Sequence, residues 1–301
     1  MKRKQLLLEA KKTAQYSINI FLDKLDINPE AFNHLYEIAM TIKPLEKNHE
    51  AQYDANYKIG LTTIPLITIN ETYLDGLLYY INNDIYDKDL VINNLASVMV
   101  HELLHANRTV YIAGGINPYN LVDGFNDKLK KYKVRINMNS DNKDKYILTA
   151  PDYYHNYIDI NLDNVKDYDT YFSDIIKNKI EKTIENQNGL EETIVETMAN
   201  LIIRTKDIKD LNLDEEMDFF INNKTTRKEE KIAAHIIKRM GKDFLSWFML
   251  SAYEEVYDNK IYDEFENKYE RIIELTNNLY KNKSKSRKND YKEAITLIKN
   301  R

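Results

Sequence analysis

The stretch His101-Glu102-Leu103-Leu104-His105 decides how this sequence is interpreted. It lies in a segment with the apolar spacing of a helix, at Leu90, Val91, Leu95, Val98, Met99 and Leu103. We expect that helix to begin near Asp87 or Asp89 and to run to about Thr109. Residues four apart stand one turn above each other on the same face of a helix. The sequence therefore predicts that the first and last side chains of the stretch, both imidazoles, point at a common position.

Two imidazoles at this spacing suit a zinc ion, which binds nitrogen at about 2.0–2.1 Å. The chain contains no Cys, so His, Asp and Glu are the ligands open to it. Glu102 lies one position round the helix from His101, beside the metal position, where a carboxylate can act as a general base. We therefore predict a Zn²⁺ cofactor bound by His101 and His105. Glu102 is predicted to take the proton of a zinc-activated water.

A catalytic zinc has three protein ligands and one open position, so a third ligand is needed. The segment Gly189-Leu190-Glu191-Glu192-Thr193-Ile194-Val195-Glu196 carries two glutamates four apart, Glu192 and Glu196, which share a helix face. Together with the stretch at 101–105, this segment resembles the gluzincin group of metallopeptidases, the thermolysin-like superfamily. The resemblance implies that Glu192 is the third zinc ligand. It also implies that Glu196 accepts a hydrogen bond from one of the ligand histidines.

Two other residues remain open as the third ligand. Glu191 is the neighbour of Glu192, although it would not share a helix face with Glu196. His155 lies in a Tyr-rich segment between the two motifs. The resemblance further implies a side chain that stabilises the tetrahedral oxyanion. The C-terminal part offers three candidates without a preference among them: His235, Arg239 and Tyr253.

The composition restricts the class of protein. The chain has 301 residues, of which 43% are hydrophobic and 30% charged, as in a globular protein. Its formal net charge of −5 argues against a nucleic-acid binder, which needs a basic face. The basic N-terminus precedes only a short apolar run, so we expect neither a signal peptide nor a membrane partner. The sequence predicts a cytoplasmic protein that acts on a peptide or protein substrate, and it leaves the oligomeric state open.

The fold expected from these patterns is α+β and predominantly helical, with a small mixed or antiparallel sheet. The resemblance implies a zincin-like arrangement around the active-site helix. We expect an N-terminal helical segment at 1–50 and a catalytic core at 51–205 with a β insertion near 130–165. A helical C-terminal part is expected at 206–301, and it could be continuous with the core.

Four local predictions can be compared with the structure. Helical spacing from Phe32 to Ala39 predicts a second N-terminal helix, with Pro29 near its start and Pro44 near its end. A β-branched run broken by Pro65 predicts a strand or edge strand at 59–69, and the resemblance suggests that an extended substrate pairs along it. Alternating stretches predict a hairpin at 133–149 and a further strand at 157–162. A helix is expected to begin directly after Gly189.

The predicted function is that of a zinc metallopeptidase, a hydrolase that cleaves peptide bonds. Two alternatives share its fold: a zincin-fold protein that binds a partner without cleaving it, and a toxin- or effector-type protease that is specific for one protein target. Glu102 favours a catalytic protein, because a binding protein of this fold has no need of a general base. A protease with a single target would use the same chemistry, so its sequence would not differ at the site.

Overall fold

The computed structural model describes residues 1–45, 49–59, 62–114, 135–138, 145–150, 154–161, 181–254, 261, 263–281 and 286–300. The molecule is a predominantly helical α+β protein with a small mixed sheet. Its helices are α1 (Arg3–Asp23), α2 (Asn33–Tyr36), α3 (Glu71–Asn82), α4 (Lys88–Gly114), α5 (Glu181–Thr205), α6 (Leu213–Asn222), α7 (Lys228–Met240), α8 (Lys242–Glu254), α9 (Tyr269–Tyr280) and α10 (Arg287–Lys299). Short 3-10 turns lie at Pro29–Phe32 and Glu266–Lys268. Within the described residues, no helix has both the length and the apolar character that a membrane crossing requires.

The strands form two three-stranded sheets, β1–β3–β2 and β4–β5–β6 in spatial order. Their bounds are β1 (Ala39–Lys43), β2 (Ala51–Ile59), β3 (Thr62–Asn70), β4 (Arg135–Met138), β5 (Lys145–Ala150) and β6 (Tyr154–Asn161). The chain divides into two compact units. The first unit comprises Met1–Val110 and Val195–Asp218, and the second comprises Tyr111–Ile194 and Phe219–Arg301.

The sheet of the first unit is mixed, because β3 pairs in parallel with β1 and antiparallel with β2. The prediction of a strand in the run at 59–69 is confirmed, but the edge-strand alternative is wrong: β3 is the central strand, and from Leu66 onward it has a neighbour on each side. Pro65 had suggested an edge because it cannot donate to a ladder. It is accommodated in a different way, since the pairing of β2 is bulged opposite it, between Asp54 and Tyr57. The pairing with β1 begins only at Leu66.

The second N-terminal helix is much shorter than its apolar spacing predicted. A 3-10 turn and the single turn of α2 end at Tyr36, and β1 begins at Ala39. The prediction that the helix continues to the region of Pro44 is wrong because residues 39–43 pair with β3, from Ala39 opposite Leu66 to Lys43 opposite Asn70. Parallel pairing satisfies the backbone groups that a further helical turn would otherwise have used.

Helix α4 confirms the helix predicted around the HELLH stretch. It buries most of the apolar side that the spacing indicated, with Val91, Leu95, Met99 and Leu103 at most 1% exposed, whereas Leu90 at its start is 49% exposed. Asp87 accepts a hydrogen bond from the backbone of Asp89 at its start. Ion pairs connect the neighbouring helices of the first unit: Lys88 with Glu9 of α1 at 2.8 Å, and Arg3 of α1 with Glu71 of α3 at 2.7 Å. The helix that carries both histidines is thus a core element.

The second unit contains the predicted hairpin. β4 pairs antiparallel with β5, from Arg135 opposite Thr149 to Met138 opposite Tyr146, and β6 adds a third antiparallel strand. In the same unit, α10 packs on α7 and α9. Arg287 contacts Glu229 at 3.2 Å and Arg271 contacts Glu293 at 2.7 Å. The buried apolar residues of α7, α8 and α9 include Ile232, Ile236, Phe244, Phe248, Ile272 and Leu279.

Gly189 lies inside helix α5, which begins at Glu181, so the prediction of a helix starting after this glycine is wrong. The reason for a glycine here is a close approach to α9. The backbone N–H of Gly189 donates to Oδ1 of Asn277 at 2.7 Å. A Cβ at this position would lie 2.2 Å from that oxygen and 2.9 Å from Cα of Asn277. Gly189 is required by packing and not by the end of a helix.

Gly189→Ala is expected to lower the free energy of unfolding by about 1–3 kcal/mol, because the added methyl group overlaps the α9 backbone. Gly76→Ala in α3 is the matched control, since a Cβ at that position would meet no atom within 4 Å. That change is expected to raise the free energy of unfolding by about 0.5–1 kcal/mol, through helix propensity. Denaturant titration followed by circular dichroism measures both values. Equal effects of the two substitutions would contradict the close approach.

Candidate metal centre

Helix α5 carries one polar stripe on an otherwise buried surface. Between Gly189 and Thr205, the residues that are not buried are Glu192, Glu196, Asn200 and Arg204. These positions are four apart, so they form a single line along the helix. The remaining face includes the apolar residues that the sequence indicated: Leu190, Ile194, Met198, Leu201 and Ile202, each fully buried. Packing on that face holds the helix, and the stripe therefore has a defined position.

Helices α4 and α5 run antiparallel along this stripe. The Ser97 hydroxyl donates to Oδ1 of Asn200 at 2.8 Å, and Nδ1 of His101 lies 3.0 Å from Oε2 of Glu196. Between these two contacts the residue number rises by four on α4, from 97 to 101, and falls by four on α5, from 200 to 196. One more step of the same register leads to the last histidine of the HELLH stretch on α4 and to the predicted third ligand on α5.

His101, His105 and Glu192 form the group that this register predicts. Nε2 of His101 and Nε2 of His105 are 3.0 Å apart. One ligand atom from each of the three residues lies within 4.8 Å of the other two. Among the described residues, this is the group of His, Asp and Glu side chains that could hold a metal ion. His105 is buried, whereas His101 and Glu192 are partly exposed, so the group can be reached from solvent.

The donor set fits zinc. Two nitrogens that bind one zinc ion at tetrahedral geometry lie about 3.3 Å apart, close to the 3.0 Å between the two Nε2 atoms. The Glu192 carboxylate adds an oxygen on a side chain with three rotatable bonds, which can close the remaining distance. Two imidazoles and one carboxylate leave the fourth position of a zinc ion open. In the absence of an ion, the two rings can share a hydrogen bond if one Nε2 carries a proton.

Oε2 of Glu196 lies 3.0 Å from Nδ1 of His101, so a carboxylate faces that side of the ring. An ionised carboxylate only accepts hydrogen bonds, so it favours the tautomer of His101 that carries its proton on Nδ1. In that tautomer the lone pair is on Nε2, which faces His105. A carboxylate behind a ligand histidine is a common feature of protein metal sites, because it fixes the tautomer and raises the basicity of the ligand.

The other proposed site residues have the following positions. Glu102 is on α4 and 8% exposed, outside the group of three ligand residues. Glu191 is 3% exposed, and the described part of the chain brings Glu192 rather than Glu191 to the histidines. His155 lies in strand β6, and its side chain is outside the described part of the structure.

Of the three oxyanion candidates, Arg239 is held in structural contacts within the second unit. It pairs with Glu264 at 2.6 Å, donates to the backbone carbonyl of Asn300 at 3.1 Å, and lies 5.0 Å from the ring centre of Phe265. His235 is half-buried on α7. The side chain of Tyr253 is outside the described residues. The contacts of Arg239 account for its presence without a role in chemistry.

Three residues near Glu196 were not singled out by the sequence. Ser97 and Asn200 belong to the contacts between α4 and α5 described above. Tyr73 on α3 is the third: burial raises the pKa of its hydroxyl, and the negative charges of Glu50 and Glu196 raise it further. Its hydroxyl therefore stays protonated and able to donate. No sequence pattern marks Tyr73, which is one of 23 tyrosines.

Comparisons of the chain with protein-family models, with curated proteins and with solved structures find no match. The interpretation of the site therefore rests on its own geometry and chemistry.

Proposed function

We propose that this protein is a zinc-dependent metallopeptidase with a gluzincin-like, zincin-type arrangement of its active-site helix. The observation that carries the proposal is the convergence of His101, His105 and Glu192, with Glu102 adjacent on the same helix. A structural histidine pair does not require a carboxylate at the third corner or a second carboxylate behind one ring. Both are found at catalytic zinc centres of the two-histidine, one-glutamate type, and both are at the expected helical spacing.

A zinc ion held by these three residues would supply Lewis acidity toward a carbonyl oxygen and a water of lowered pKa. Glu102 takes a proton from the attacking water as the oxygen–carbon bond forms. It then passes that proton to the nitrogen of the scissile bond as the carbon–nitrogen bond breaks, so that an acid and an amine are released. Glu196 keeps the proton of His101 on Nδ1 throughout, which reserves Nε2 for the metal.

The partly exposed positions of His101 and Glu192 support a centre that acts on an external substrate. A purely structural zinc site is usually closed, with four protein ligands. The described residues bring three to this position. The arrangement thus favours a hydrolytic centre over a zinc that only stabilises the fold, and it favours the substrate class of peptides because His-Glu-x-x-His helices are found in metalloproteases.

Metal content and turnover test this proposal. The purified full chain is expected to retain about one zinc ion per molecule after dialysis, measured by elemental analysis. It is expected to cleave members of a mixed peptide library, to lose that activity on treatment with a chelator, and to regain it when zinc is restored. Cleavage that survives complete metal removal would rule out the zinc mechanism. Full zinc occupancy without cleavage of any peptide or protein offered would support a binding protein of the same fold.

A further inference from the structure

A chain of four polar groups crosses between helices α4 and α5 and ends on the metal centre. Ser97 donates to Oδ1 of Asn200 at 2.8 Å, and Nδ2 of Asn200 donates to Oε1 of Glu196 at 3.2 Å. Oε2 of Glu196 lies 3.0 Å from Nδ1 of His101. All four residues belong to the first unit. One oxygen of the carboxylate thus accepts a hydrogen bond from Asn200, and the other lies against the ring of His101.

The direction of every hydrogen bond in this chain is fixed by the carboxylate. Because Glu196 can only accept, the amide of Asn200 must turn its nitrogen toward it. The amide oxygen then faces Ser97, whose hydroxyl must donate its hydrogen there. A serine inside a helix often donates instead to the backbone carbonyl one turn before it. Here the hydroxyl is directed to the neighbouring helix, so Ser97 adds a second hydrogen bond that holds the amide in the orientation set by Glu196.

The Glu196 carboxylate needs such support because its side chain is 34% exposed. A glutamate with access to solvent samples several rotamers, and holding it in one of them costs conformational entropy. The bond from Asn200, one helical turn away on the same stripe, restricts that sampling. When Oε1 is held, Oε2 stays directed at the histidine ring.

We propose that Asn200 and Ser97 are positioning residues of the metal centre. Asn200 holds Glu196 in the rotamer that keeps the proton of His101 on Nδ1, and Ser97 holds the amide of Asn200 in the orientation that this requires. The expected effect of these two residues on zinc affinity rests on the proposed zinc function. Their expected effect on the tautomer of His101 does not, because it exists in the metal-free protein as well.

The test compares Asn200→Leu and Ser97→Ala with the matched control Asn94→Leu. Asn94 is an exposed residue of α4, so Asn94→Leu makes the same change of side chain at a position outside the four polar groups. Leucine has a higher helix propensity than asparagine, so neither substitution is expected to unfold its helix. Two quantities are measured: the tautomer of His101 in metal-free protein, from imidazole ¹⁵N chemical shifts, and the affinity for Zn²⁺ alone, by competition with a chromophoric chelator.

We expect Asn200→Leu to change the His101 ring from a single Nδ1-protonated form to a mixture of tautomers. Its zinc affinity should fall about 10-fold, the lower end of the range for residues that support a metal ligand. Ser97→Ala should lower the affinity by about 2- to 5-fold, the effect of one neutral hydrogen bond. Because Ser97 acts only through Asn200, the double variant should bind zinc no more weakly than Asn200→Leu alone.

Unchanged tautomer and affinity in Asn200→Leu, with wild type binding zinc, would overturn this inference and leave the proposed function standing. Effects of the two substitutions that multiply in the double variant would also overturn it, since Ser97 would then act by another route. If wild type binds no zinc, the metal function fails. The tautomer measurement would still test the positioning role of Asn200, because a mixture of tautomers in Asn200→Leu supports that role and a single unchanged form refutes it.

Discussion

Glu102→Gln is expected to lower the rate of peptide hydrolysis by about 10²- to 10⁴-fold while zinc stays bound at its wild-type level. Glutamine keeps the size of the side chain, but its neutral amide cannot accept the proton of the attacking water. Glu102 is not one of the three residues whose ligand atoms converge, so its loss leaves the donor set intact. The loss should therefore appear in kcat, with little change in KM. Zinc analysis and steady-state kinetics on the same preparations measure both effects.

Glu191→Gln is the matched control for that experiment. Glu191 and Glu102 are both buried glutamates on the two helices of the site, at 3% and 8% exposure. The same neutralisation of a buried carboxylate is made in each variant, so a general effect on stability would be shared. Cleavage that remains in Glu102→Gln, purified in the same way, sets the upper limit for any contaminating protease. Equal activity of Glu102→Gln and wild type would exclude Glu102 as the general base.

Glu192→Ala is expected to weaken zinc binding by more than about 100-fold, the upper end of the loss for residues that only support a ligand. Removal of a ligand leaves two imidazoles, which do not complete a catalytic zinc site. The register of α4 and α5 makes this prediction specific to one of two adjacent glutamates. Glu196 lies opposite His101, and one step of four along each helix brings Glu192, not Glu191, opposite His105. Competition with a chelator of known affinity gives the change in Kd.

Glu191→Ala separates the ligand from its neighbour, since it should leave the affinity for zinc close to that of wild type. A third variant, His155→Ala, addresses the remaining candidate. If Glu192→Ala retained zinc and His155→Ala lost it, the third ligand would be His155 and the gluzincin-like arrangement would be wrong. If zinc binding were unchanged in Glu192→Ala and in His155→Ala, both assignments of the third ligand would be refuted.

The parts of the fold that could be predicted from the sequence are those set by local periodicity. α4 was predicted because its apolar side chains recur with the period of a helix, and burial of that side is what stabilises it. The predictions that were wrong concern residues whose structure depends on contacts with segments far away in the sequence. Residues near Ala39 have helical spacing but pair with β3, whose sequence lies far downstream. Gly189 resembles a helix boundary, yet a glycine is required there by the contact with Asn277, 88 positions away. Neither partner is visible in the local pattern.

The candidate site divides in the same way. The pairing of His101 with His105 follows from helix geometry within five residues, so the sequence alone predicts it. The position of Glu192 depends on how α5 lies against α4, and the sequence offered it only through a resemblance. Asn200 could not be anticipated, because a polar residue on a helix is ordinarily one of many that face water. Its significance comes from the contact with Ser97 on the other helix.

The stripe on α5 has a consequence for how this protein can change over generations. Every fourth residue from 192 to 204 meets solvent or the opposing helix, and the residues between them are buried. Substitutions that reach the interior are removed by loss of folded protein, whatever they do to chemistry. Substitutions on the stripe leave the interior intact, so selection on metal choice, affinity or reactivity can act there almost alone. Under the proposed function, substitution of two or three residues would change or abolish metal binding while the fold is kept.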